Sequence, residues 1–250
     1  MKSCIIRKGR APSRRQLAIS TDARMVRCWL GDGASCRPIV GIDEAGVASL
    51  AGPVVATAVR LTETESVKPI VDRLCDSKRL PSKDAQLLCA ELLQHPDVHV
   101  HVAVVNGSDV TTLGGALPAR LAAISSCAIA FAAETMPSRF EASSGRLMPS
   151  GPPVILIDGA EVPESLSETC DVYGVPHGDG FFACIAAASI ISKGVFDAEL
   201  DTVDMKHPGW GFGSHRGYPT RRHLERLRQS GPLSGVHRDI EACLNLSCSR

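Results

Sequence analysis

From position 39 onward, apolar and polar residues alternate in a way that divides the chain into strands and helices. Ile39-Val40-Gly41-Ile42-Asp43 is an apolar run ending in a carboxylate, which predicts a buried strand. Pro53 to Leu61 is a second apolar, β-branched run. The glycine-rich turn between the two predicts a hairpin. Ser82 to Gln94 has helical periodicity, with Ser82 expected as its N-cap. Val98 to Val105 alternates His and Val, which predicts a third strand. An Ala-rich helix is expected over Leu117–Ala133, followed by a loop of Ser, Gly and Pro over Pro137–Pro153. Val154-Ile155-Leu156-Ile157-Asp158 is again an apolar strand ending in Asp. A short strand follows over Val172–Pro176, then a helix over Ala183–Leu200 and a short basic helix over Thr220–Gln229. A hairpin followed by alternating strands and helices predicts a layered α/β or α+β domain with a mixed sheet. The chain shows no internal repeat.

Composition changes the picture mainly at the N-terminus. The 250 residues are 44% hydrophobic, enough for one large domain with appendages. Basic and acidic residues balance at 27 each, yet residues 1–37 hold nine Lys or Arg against only Asp22 and Asp32. Subtracting these from 27 and 27 leaves 18 basic and 25 acidic residues in the body, a total that argues against non-specific nucleic-acid binding. The first 37 residues are rich in Arg, Ser and Ala, and their short apolar runs fit neither a secretory core nor a membrane span. This composition matches a mitochondrial transit peptide. A basic tail that binds nucleic acid electrostatically is the other reading, and the spacing of the basic residues favours the transit peptide. Ten cysteines occur without a Cys-x-x-Cys pair, and most lie in apolar surroundings. They are read as buried free thiols of a reducing compartment, with no structural metal site.

Candidate chemistry comes from carboxylates. Two strands, 39–43 and 154–158, end in Asp at the same relative point, so side-by-side pairing would bring Asp43 and Asp158 together at one sheet edge, where open α/β sheets usually carry their sites. Glu44 follows Asp43 immediately, and Asp197 lies on a helix able to pack across the sheet. Clustered carboxylates repel unless a cation neutralises them, and hard oxygen ligands favour magnesium or manganese. Two such ions suit an in-line phosphoryl displacement. Any one of these acids alone reads as a cap, a turn residue or a surface ion pair; the paired strand ends carry more weight. On the phosphate side, residues 206–238 hold seven Lys or Arg and one acid, Glu225, interleaved with Trp210, Phe212 and Tyr218. That local charge and those aromatic faces suit a nucleic-acid backbone. The competing reading is a solvated basic helix over core aromatics, and for Trp210 and Phe212 the core is favoured.

These residues resemble the ribonuclease HII family. Gly41-Ile42-Asp43-Glu44-Ala45-Gly46, continuing to Leu50-Ala51-Gly52-Pro53-Val54-Val55-Ala56, resembles its opening signature, and Asp76-Ser77-Lys78-Arg79-Leu80 its Asp-Ser-Lys-x-Leu motif. Ile157-Asp158-Gly159 resembles the strand with its third carboxylate. Gly178-Asp179, then Ile185 to Lys193 followed by Asp197, resembles the helix with the fourth. His207-Pro208-Gly209-Trp210-Gly211-Phe212 and His215-Arg216-Gly217-Tyr218-Pro219-Thr220 are similar to its C-terminal segment. The resemblance runs in order from about Ile39 to Arg238. It implies a ribonuclease H-like fold, with a mixed five-stranded sheet flanked by helices and a short C-terminal helical segment. It also implies an endonuclease that hydrolyses the RNA strand of RNA/DNA hybrids, leaving 3′-hydroxyl and 5′-phosphate ends. Asp43, Glu44, Asp158 and Asp197 would then hold Mg2+ or Mn2+, two ions per site, with Asp43 bridging both. Lys78 would lie near substrate phosphates, and Tyr218 would stack on the sugar at the RNA–DNA junction. Gly46, Val47 and Ala48 occupy the turn that reads the 2′-hydroxyl.

Two departures qualify that expectation. The family continues its first motif as Gly-Arg-Gly, whereas this chain has Gly46-Val47-Ala48. Val47 removes a charge and Ala48 adds a methyl where backbone must approach the ribose. Phe196 also stands where an Arg is usual. Hydrolysis of hybrids is therefore expected to persist, and cutting at single ribonucleotides in DNA is the activity most exposed to the change. A non-catalytic, hybrid-binding subunit of a ribonuclease H complex is the alternative, favoured by the altered turn and opposed by the complete acid set. The expected organisation is a basic extension over 1–37, a catalytic domain over 38–238 and a tail over 239–250. The expected partner is an RNA/DNA hybrid or ribonucleotide-containing DNA, with no membrane and no sequence feature that calls for accessory subunits. The expected location is mitochondrial, with nuclear or cytoplasmic alternatives.

Overall fold

The computed structural model describes residues 22–24, 26, 37–74, 81–135, 152–166 and 170–238. Strand β1 (Ile39–Ala45) pairs antiparallel with β2 (Val54–Leu61), the expected hairpin. Helices α1 (Lys68–Leu74) and α2 (Ser82–Gln94) follow, then β3 (Val98–Val105), which pairs antiparallel with β2. After α3 (Gly107–Thr112) and α4 (Ala116–Thr135), β4 (Val154–Asp158) returns to the sheet parallel to β1, and β5 (Asp171–Val175) pairs parallel with β4. The chain then forms α5 (Ala183–Lys206), α6 (Phe212–His215) and α7 (Arg221–Ser230). The result is one five-stranded mixed sheet in the order β3-β2-β1-β4-β5, as the alternation of elements predicts.

Alternating side chains along β1 and β4 decide which layer each residue joins. Val40 and Ile42 of β1 and Ile155 and Ile157 of β4 pack on Ala123, Ile124, Cys127 and Phe131 of α4. Val154 and Leu156 face the other way, onto Cys184 and Ile185 of α5. Gly41 sits on this second face. A Cβ there would lie 2.4 Å from the backbone carbon of Cys184 and the amide nitrogen of Ile185. Only glycine lets α5 approach β1 this closely, and that approach sets the depth of the site. By length and composition α4 could span a membrane. It instead lays an apolar face on the sheet and buries Arg120, as a core helix does.

Several expectations change. Ser82 is the first residue of α2 rather than its cap: Pro81 holds the cap position, and no side chain caps that end. Three short helices, α1, α3 and α6, carry too few periodic residues to stand out in the sequence. Asp22 and Val26 lie in the stretch read as an extension separate from the domain, yet both are buried in it. Asp22 accepts hydrogen bonds from the Ala183 and Cys184 amides at 3.0 and 3.2 Å, capping α5, and Val26 joins the α5 core. Burial pushes the Asp22 carboxyl up to about 7, against the opposing pull of those amide hydrogen bonds. Trp210 and Phe212 are core residues, as expected. Cys89, Cys127, Cys170 and Cys184 are buried free thiols.

Candidate active site

The site forms where β1 and β4 end. The parallel register pairs Gly41 with Leu156 and Ile42 with Ile157, so one step further sets Asp43 beside Asp158 on neighbouring strands, ~4.8 Å apart. Both side chains fall on the α5 face. Asp43 is 7% exposed. Burial first, then the charges of Asp158 and Glu44, raise its carboxyl to about 7, while a hydrogen bond from the Ser189 hydroxyl on α5 acts the other way. Asp158 is also raised, by burial first and then by the charge of Asp179. The Gly178 amide donates to its Oδ1 at 2.6 Å, and the Asp179 amide also hydrogen-bonds the carboxylate. His177 leads into that short turn with φ 59°, a left-handed conformation that costs free energy in a non-glycine residue and collects at functional sites.

The pleat turns Glu44 away from Asp43, toward α4. Arg120 Nε donates to Glu44 Oε1 at 2.7 Å, and Arg120 Nη2 donates to the Asp158 carbonyl at 3.0 Å. Glu44 Oε2 is buried without a hydrogen-bond partner. Among the described residues no three His, Cys, Asp or Glu side chains are gathered around one point as a ready metal cage. The donor set nonetheless fits a hard divalent cation: a buried carboxylate, Asp43, raised in part by the charge of the half-buried Asp158 beside it, and an orphaned carboxylate oxygen one residue away.

Asp197 does not join this group. Ser189, which touches Asp43, lies eight residues earlier on α5, about 12 Å along the helix axis. Lys193 Nζ donates to both Asp197 oxygens at 2.8 and 2.9 Å, and Arg216 Nε lies 3.5 Å from Oδ1. Helical rise places Asp197 further along α5, next to Phe196, whose ring lies against Gly46, and cations hold it there. The acid beside Asp158 is Asp179, a residue of the Gly178-Asp179 motif to which the resemblance assigned no role. The Gly-Asp pair just before a helix was the available signal.

The turn after β1 is held from the far end of the chain. Arg238, 5% exposed, donates to the carbonyls of Gly46, Val47, Ser49, Gly52 and Pro53, with Gly46 at 2.6 Å and Gly52 at 2.8 Å. Leu50 donates to the Gly217 carbonyl at 2.8 Å, which ties the turn to the segment carrying Tyr218. Gly46 has φ 90°, and a Cβ there would meet the Pro53 carbonyl at 2.4 Å, so a side chain is excluded. Val47 is half-buried against Val54, Val110 and Ala119, Ala48 is exposed, and Phe196 is buried beneath Gly46. Tyr218 is 41% exposed. Its carbonyl ends a buried chain in which the Leu233 amide donates to His237 Nδ1, His237 Nε2 to His223 Nε2, and His223 Nδ1 to Tyr218. Burial lowers both histidines to about 4, so they are neutral. Lys78 and its motif lie outside the described residues.

The sheet order and the acid-bearing strand ends define a ribonuclease H-like fold. The RNase HII of Archaeoglobus fulgidus, solved in complex with PCNA, superposes with a TM-score of 0.60 at 22% identity, over 81% of this chain and 94% of that one. Bst-RNase HIII in complex with Mn2+ superposes at 0.56 and 20% identity, over 88% and 74%. The family model for Ribonuclease HII matches residues 40–243, and the chain belongs to that family. The Ribonuclease HII of Cereibacter sphaeroides is 36% identical over 83% of this chain and 84% of its own length. The protein is therefore a ribonuclease H, an endonuclease for RNA/DNA hybrids.

Proposed function

We propose that the chain hydrolyses the RNA strand of such hybrids at Asp43, Glu44 and Asp158, with Asp179 rather than Asp197 as the fourth acid, leaving 3′-hydroxyl and 5′-phosphate ends. The observation that carries this reading is the β1–β4 register, which sets the buried Asp43 beside the half-buried Asp158, whose charge opposes that of Asp43. Bound Mg2+ or Mn2+, two ions per site, supplies an ionised water and offsets charge on the phosphate. Asp43 and Asp158 present oxygens from adjacent strands. Ser189 orients Asp43, and the Gly178 amide orients Asp158. Asp197, between Lys193 and Arg216, orders the cations that flank the substrate face.

Long hybrids are the preferred substrate in this reading. The half-buried Val47 anchors its turn in an apolar cluster where a polar or glycine-rich turn would be free to close on one ribose. Tyr218 and Lys78 serve as substrate contacts. The test compares a long hybrid with a duplex holding one ribonucleotide, in Mg2+ and in Mn2+, with Asp43→Asn as control and mapping of product ends. Equal cutting of both substrates would overturn the preference; no cutting of the hybrid in either metal would favour the hybrid-binding subunit.

The mitochondrial leader is proposed to end before Asp22, since Asp22 and Val26 are built into the domain. N-terminal sequencing of the protein from a mitochondrial fraction checks both the location and the cut.

A further inference from the structure

Arg120 touches both acid-bearing strand ends. It is 6% exposed on α4, with Nε on the Glu44 carboxylate at 2.7 Å and Nη2 on the Asp158 carbonyl at 3.0 Å. Its Nη1 lies 3.7 Å from Glu161 Oε2 and makes no hydrogen bond. A planar guanidinium fixes two acceptors at a set separation, which a flexible ammonium does not. Glu44 is thereby divided: Oε1 is committed to the arginine, and Oε2 is buried without a partner.

We propose that Arg120 is a positioning residue of the metal site, spacing Glu44 against the end of β4 and competing with the divalent cation for the Glu44 carboxylate. The inference rests on the metal-site reading above. Two effects of opposite sign follow. The fixed positive charge weakens cation binding, because like charges share one carboxylate. The fixed spacing raises turnover, because Glu44 and the Asp158 strand end stay in register when the cation arrives. A purely structural arginine would not show this opposition, since its loss would weaken binding and turnover together.

The experiment measures Mn2+ binding without substrate, from the free-ion signal in electron paramagnetic resonance, alongside kcat on a long hybrid. The proteins are the parent, Arg120→Gln and Arg120→Lys. Arg120→Gln is expected to bind Mn2+ about tenfold more tightly, on the order of 1.4 kcal/mol, while kcat falls about tenfold or more. Arg120→Lys keeps the charge, so its Mn2+ affinity stays near the parent's while kcat remains reduced; it also serves if the glutamine variant does not fold. Unchanged or weaker Mn2+ binding in Arg120→Gln overturns the competition, and an unchanged kcat in both variants overturns the spacing role. Asp43→Asn is the separate control: if it binds Mn2+ as the parent does, the metal-site reading itself fails.

Discussion

Asp43 and Asp158 stand together because a backbone ladder runs between β1 and β4, whereas the Gly46–Pro53 turn stands where it does because one buried guanidinium gathers its carbonyls. The first arrangement is local and repetitive. Pleat and register fix it, and side chains at the strand ends are free to repel. The second spans nearly 200 residues of sequence and rests on a few polar groups that lack substitutes. The acids of this site are therefore expected to tolerate replacement structurally and not chemically, and the holders of the turn the other way round.

Replacing an acid tests the first half most sharply. Asp43→Asn is expected to lower hybrid cleavage roughly a thousand-fold, because it removes the oxygen proposed as the central metal ligand. The metal-free protein should melt no earlier than the parent, since burial and two acidic neighbours already oppose the Asp43 charge. A matched fall in Tm would show that the acid holds the fold. The second half is broken at Arg238. Arg238→Met removes a donor from five carbonyls, of which those of Gly46, Ser49, Gly52 and Pro53 lie in buried residues, and should cost at least about 3 kcal/mol in denaturant unfolding. If the loss is small, the turn is held by its own chain.

The histidine chain behind Tyr218 gives a pH test. His223 and His237 are lowered from 6.5 to about 4, so the folded state resists their protonation. The stability this represents is present in full above about pH 6.5 and is lost as pH falls toward 4. Relative to His237→Gln, the parent's Tm should drop by roughly 5–10 °C across that window. Parallel curves would remove the neutral chain as a support for Tyr218.

The smallest effect is expected at Asp22. Its carboxyl is raised to about 7, so its contribution is greatest at low pH and fades as pH rises through 7. Asp22→Ala should cost about 1 kcal/mol at pH 5 through loss of the cap, and Asp22→Asn should exceed the parent by more at pH 8 than at pH 5. Equal stability of all three at both pH values would mean that the cap carries no weight.

Strand and helix periods, with the two apolar runs that end in Asp, announce the sheet, the hairpin and the Asp43–Asp158 pair before any coordinates. Those features depend on residues close in sequence and on the fixed repeat of the backbone. Trp210 and Phe212 are legible as core for the same reason, being large apolar residues among basic ones. The sequence alone does not reveal that Asp197 is carried about 12 Å down α5 to Lys193 and Arg216, because a motif has no length in space until the helix is laid on the sheet. Nor does it reveal that Arg120 spaces the strand ends, that Arg238 holds the turn, or that Asp22 caps α5. Each of these is a polar group with no periodic signature, and its meaning comes only from partners that packing brings within hydrogen-bond distance.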